Sequence, residues 1–123
     1  MIVALILGRG GSTGLPGKNV MPVLGRPLMD YPILAAKNSK YCDEIFLSTD
    51  DLKIKEVGTK HNVRHIIRPE YLSTKEALAE DAYVHGYKEI KNVLNQEIEA
   101  IILLFCNGAT VLSEQIDYGV EAL

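Results

Sequence analysis

Apolar runs alternate with amphipathic stretches along the whole of this chain. Ile2 to Leu7 is continuously apolar, which predicts a short buried strand. Leu28 to Lys37 has helical periodicity and tolerates Pro32 only in the first turn, where no backbone N–H is needed. Glu44 to Ser48 predicts a second strand, after which Asp50 or Asp51 caps a helix running to Lys60. Val63 to Ile67 predicts a third strand, ending at Arg68-Pro69. The next helix has the clearest pattern. Ser73-x-x-Glu76 makes a capping box, and Leu78, Ala82, Tyr83, Gly86, Tyr87, Ile90 and Leu94 recur at helical spacing through Asn95. Glu99 to Cys106 predicts a fourth strand, almost wholly apolar from Ala100 onward.

Strands without polar alternation belong to parallel sheets covered on both faces. Strict alternation of strand and helix implies βαβ units with right-handed crossovers, hence an α/β fold. We expect a Rossmann-like, mostly parallel sheet with flanking helices. All strands then end on one edge, where such sheets bind ligands. Gly8 and Arg9 close the first strand, Thr49 and Asp50 the second, Arg68 the third, and Phe105 to Asn107 the fourth. A last helix starts at Ser113 but meets no stop signal before Leu123, so the fold is expected to be truncated.

Between the first strand and the first helix runs Gly8-Arg9-Gly10-Gly11-Ser12-Thr13-Gly14-Leu15-Pro16-Gly17-Lys18-Asn19. Its five glycines let backbone N–H groups approach an anion without interference from a β-carbon, and Arg9 and Lys18 bracket it with positive charge. A nucleoside triphosphate is the expected guest. Two common phosphate-binding loops fail on specific residues. Ser12 stands where a Walker loop needs its first glycine, and Asn19 replaces the magnesium-binding hydroxyl. The dinucleotide pattern Gly-x-Gly-x-x-Gly would have to begin at Arg9 or end at Thr13.

Composition narrows the remaining options. At 123 residues the chain suits a single domain, 1–123, and is short for an α/β enzyme carrying its own substrate cap. With 47% hydrophobic residues, 24% charged residues and a net charge of −3, it has no basic field for a nucleic acid partner. The opening apolar run is too short for a membrane span and lacks the basic start of a signal peptide, so a cytoplasmic protein is expected. Cys42 and Cys106 read as buried free thiols, and His61, His65 and His85 lack metal-ligand spacing.

The loop residues Gly8-Arg9-Gly10-Gly11-Ser12-Thr13-Gly14 with Lys18-Asn19 resemble the signature of the CMP-sugar-acid synthetases, Ala-Arg-x-Gly-Ser-Lys-Gly followed by Lys-Asn. These are the cytidylyltransferases that activate sialic acid and related nonulosonic acids. Further matches follow in order at Gly25-Arg26-Pro27-Leu28, Ser48-Thr49-Asp50-Asp51 and Arg68-Pro69. The resemblance spans nearly all of this chain but only the N-terminal half of such an enzyme, without its dimerisation and sugar-binding part. Two departures stand out. Thr13 occupies the place of a family lysine, and Phe105-Cys106-Asn107 falls where those enzymes usually place a glutamine, a proline and a threonine.

The resemblance implies a nucleotide-diphospho-sugar transferase-like fold and transfer of CMP from CTP to a sugar acid, releasing pyrophosphate. Arg9 and Lys18 would be catalytic cations. Gly8, Arg9, Gly10, Gly11, Ser12, Lys18, Asn19, Arg68 and Asn107 would bind the nucleotide. Mg2+ is expected with the triphosphate, its ligands not identified. CTP and a sugar acid are the expected partners, with no nucleic acid and no membrane; a homo-oligomer is left open. Little or no turnover is expected of these 123 residues alone. Alternatives are a non-catalytic CTP-binding module, a related sugar nucleotidyltransferase, and an NAD-binding domain with Asp50 as the ribose acid.

Overall fold

The computed structural model describes residues 1–8, 22–23, 25–72, 79–106 and 113–123. The first strand, β1 (Ile2–Gly8), is followed by two two-residue strands, β2 (Pro22–Val23) and β3 (Arg26–Pro27), and by helix α1 (Asp30–Asn38). Then come β4 (Glu44–Thr49), α2 (Leu52–Lys60), β5 (Arg64–Ile67), a 3-10 turn (Glu70–Leu72), α3 (Ala79–Val93), β6 (Ala100–Phe105) and α4 (Ser113–Glu121). The main sheet is parallel, in the order β5-β4-β1-β6.

The four long strands lie within a residue or two of the expected runs. Helix α1 starts at Asp30 rather than Leu28, which leaves Leu28 and Met29 in the preceding turn and Pro32 in the first helical turn. Of the two candidate caps for α2, Asp51 does the work: its Oδ1 accepts from Lys53 N at 2.8 Å and Ile54 N at 3.1 Å. The left-handed residue that closes this helix is Asn62, φ 60°. The expected capping box at Ser73 and Glu76 lies outside the described residues, and α3 ends at Val93, short of Asn95.

The sequence reading did not anticipate the antiparallel pair β2–β3, whose members are too short to carry a periodicity.

Alternation along the strands sorts the core into two layers. Ala4, Ile6, Leu47, Leu104 and Cys106 face Ile33 of α1, Ile54 of α2 and Ile116 of α4. On the opposite face, Val3, Leu5, Leu7, Phe46 and Ile66 meet Ala82 and Ile90 of α3. Strand β1 has neighbours on both sides and helices on both faces, so its apolar run has no wet side. Helix α3 comes close enough that a β-carbon on Gly86 would lie 2.7 Å from Leu5 Cδ2.

Helix α4 is tied down by a buried carboxylate. Asp117 Oδ1 accepts from Ser39 Oγ at 2.6 Å and from Lys40 N at 2.9 Å, joining α4 to the connection between α1 and β4.

Candidate functional site

The winding of the sheet locates the site. The β1-to-β4 connection runs through α1 on one face, and the β5-to-β6 connection runs through α3 on the other. Direction therefore reverses between β1 and β6, and at such a switch point the carboxyl ends of neighbouring strands open a crevice for a ligand. Gly8 and Phe105 stand at this point. Cys106 N donates to Leu7 O at 3.0 Å, continuing the ladder one residue past β6.

Gly8 is fully packed. A β-carbon there would fall 2.5 Å from Cys106 Sγ and 3.3 Å from Ile54 Cγ2, so any larger residue would push β6 or α2 away from the end of β1. The glycine read as part of a phosphate-binding loop is thus also a point of close approach. Burial drives the Cys106 thiol up to about 12, against the lowering effect of the Arg68 charge.

A thiol held neutral in the fold stabilises it fully below its ordinary value of 9.0, and that contribution is lost as pH climbs from there to about 12. Near pH 8 Cys106 is therefore held as the neutral thiol, and the thiolate is the reactive form. Alkylation at that pH should spare Cys106 in the folded chain and modify it after denaturation, as read by peptide mass spectrometry. Rapid modification of the folded chain would contradict its packing against Gly8.

Arg68 is not the surface side chain that its position after an outer strand would suggest. It is 6% exposed, and its backbone N donates to Thr49 O at 3.2 Å. Its Nε donates to Ser48 Oγ and its Nη2 to Ser48 O, each at 3.3 Å. Thr49 adds a further bond at this edge, its Oγ1 accepting from Asp51 N at 3.1 Å. Asp50 is exposed beside it. The contact of Ser48 with Arg68 was not read from the sequence. The signal was a hydroxyl ending the apolar run Ile45-Phe46-Leu47, since a buried polar group requires a partner.

Of the residues expected to bind nucleotide, Gly8 and Arg68 stand at the same sheet edge, on either side of β4. Arg9, Gly10, Gly11, Ser12, Lys18, Asn19 and Asn107 lie outside the described residues, as does Thr13. Phe105 is half-exposed at the end of β6.

The three histidines are dispersed: His61 Nε2 is 3.1 Å from Asp30, His65 Nε2 lies 3.1 Å from Thr49 O, and His85 is 3.8 Å from Glu89. Among the described residues no group of three or more histidine, cysteine or carboxylate side chains could hold a metal. The expected Mg2+ therefore has no protein ligand set of that kind among the described residues. No described helix is long and apolar enough to cross a membrane.

A groove of about 610 Å³ lies between β5 and α3, lined by Phe46, Arg64, Glu89 and Val93 among others. It runs along the whole of β5, an outer strand, away from the switch point.

Comparison with known proteins agrees with this fold. Residues 3–122 match the family model described as cytidylyltransferase. The chain is 36% identical over 115 residues to a pseudaminic acid cytidylyltransferase of Campylobacter jejuni, covering 93% of this chain and 49% of that protein. It is 46% identical over 57 residues to an N-acylneuraminate cytidylyltransferase of Oncorhynchus mykiss, covering 46% of this chain and 13% of that protein. Among solved structures, a CMP:2-keto-3-deoxy-manno-octonic acid synthetase complexed with CTP shares the fold. Its TM-score is 0.78 at 20% identity, covering 98% of this chain and 46% of that one. The chain thus spans about half the length of the Campylobacter relative. With nearly every residue inside the family match and the parallel sheet in place, the chain belongs to the cytidylyltransferase family.

Proposed function

We propose that residues 1–123 form the nucleotide-binding α/β domain of an enzyme that transfers CMP from CTP to a sialic acid-like, nonulosonic sugar acid and releases pyrophosphate. The observation that carries this reading is the reversal of winding between β1 and β6, the place where such sheets bind ligands, with a buried arginine along the same sheet edge, in a chain of the cytidylyltransferase family. Relatives named for pseudaminic acid and N-acylneuraminate support the class of sugar.

The chemistry asked of the protein is mostly electrostatic. The sugar hydroxyl attacks the α-phosphorus and gives up its proton to solvent water, the bond from that phosphorus to the bridging oxygen breaks, and pyrophosphate leaves in line with the electron pair. Cations and backbone N–H groups that hold the spreading negative charge lower the barrier. Arg9 and Lys18 are assigned to the phosphates, with Gly8, Gly10, Gly11 and Ser12 lining their path. Asn19, Arg68 and Asn107 are assigned to the nucleotide. Mg2+ remains the expected companion of the triphosphate, and none of its ligands is assigned here.

Calorimetric titration with CTP, ATP, GTP and NAD tests the reading. CTP should bind more tightly than the two purine triphosphates by about tenfold or more, and NAD should not bind measurably. Equal affinity for all four would remove the cytidylyl assignment.

A further inference from the structure

A buried cation and the residue that holds it stand together at the carboxyl edge of the sheet. Arg68 follows β5, an outer strand, yet its side chain turns inward onto β4 and is nearly covered. Ser48, fully buried, meets it with two acceptors: its hydroxyl takes Nε and its carbonyl takes Nη2, both at 3.3 Å.

These two nitrogens form one side of a rigid planar fork. Two bonds to a single residue constrain both the tilt and the heading of the guanidinium. Bonded to Ser48 and Thr49, Arg68 lies at the end of β4, the strand between its own and β1, on the same carboxyl edge as Gly8.

We propose that Ser48 is a positioning residue for nucleotide binding: its hydroxyl and carbonyl hold the Arg68 guanidinium in one orientation, with its charge directed to the anionic part of the nucleotide. This rests on the reading that the crevice takes CTP. Ser48 itself does not touch the ligand. Its contribution is preorganisation, because a guanidinium already held in its bound orientation loses less freedom when the anion arrives.

The test is a double-mutant cycle on CTP affinity, measured by calorimetry on the full chain, with thermal unfolding recorded for every variant. Ser48→Ala removes the hydroxyl and keeps the carbonyl; Ser48→Thr keeps both; Arg68→Gln removes the charge. Ser48→Ala should weaken CTP about 3- to 10-fold, the size of one hydrogen bond's worth of positioning, and Ser48→Thr should restore binding to within about twofold.

In the Arg68→Gln background, Ser48→Ala should change affinity by less than about twofold, because its effect passes through Arg68. Should the alanine variant fail to fold, Ser48→Cys, close in size but a poor acceptor, is expected to give the same loss. Wild-type affinity in Ser48→Ala, or an undiminished loss in the Arg68→Gln background, would overturn the proposal and leave the nucleotide reading standing. Failure of the wild-type chain to bind CTP would overturn both.

Discussion

Phe46→Ala is expected to cost about 3–5 kcal/mol of folding stability, with a fall in melting temperature of roughly 10–20 °C. Phe46 is the largest of the fully buried side chains among the described residues. It lies beside Leu5 of β1 and Arg64 of β5 in the ladder, under the layer made by α3. The Arg64 guanidinium carbon sits 5.0 Å from the ring centroid, so the ring also supports a cation on its outer side.

Neighbouring Leu5 is held between β4 and β6 and cannot move into the space without disturbing the central strand. Phe46→Leu, which leaves a smaller void, should lose less than half as much. Thermal or denaturant unfolding reads both. A loss under about 1 kcal/mol in Phe46→Ala would mean that the α3 layer is not packed as described.

Gly8→Ala is expected to destabilise the chain by about 1–3 kcal/mol and to weaken CTP binding by about tenfold or more. Its new β-carbon would need the place of the Cys106 sulfur, which has little room to retreat because Cys106 is 1% exposed. Relief comes by moving the end of β1 away from β6, and that movement opens the crevice assigned to the nucleotide.

Cys106→Ala removes the colliding atom, so the Gly8→Ala/Cys106→Ala chain should recover most of the stability lost by Gly8→Ala, a coupling typical of residues in contact. Strictly additive losses would show that the collision is absent. Full CTP affinity in Gly8→Ala would separate the end of β1 from the binding site.

The parts of the fold most legible in the sequence were those with one dominant cause. The run Ile2 to Leu7 reads as a strand buried on both faces, and β1 occupies that position, with Val3 to Ile6 fully covered. Along α3, the helical recurrence of Ala82, Gly86 and Ile90 marks the buried side, since each recurs within the span of a turn. That the strands all end on one edge also followed from chirality and alternation, and the main sheet is parallel throughout.

What could not be read depended on contacts between distant residues. Sequence permits either Asp50 or Asp51 to cap α2, and only the path of the chain after Thr49 selects Asp51. The β2–β3 pair has two residues in each strand, too few for alternation to register. Gly8 was legible as a glycine in a phosphate loop, but its second role requires the sulfur of Cys106, 98 positions along the chain by their numbers. The fork between Ser48 and Arg68 is hidden in the same way, because neither residue type predicts the other.

A crystal structure of this chain with CTP tests the central assignment most directly. The triphosphate should lie at the carboxyl end of β1, against the segment 8–19, with Arg9 and Lys18 directed to the phosphates and Arg68 along the same edge. CTP bound away from the β1/β6 crevice, or Arg9 and Lys18 pointing into solvent beside an empty crevice, would contradict it.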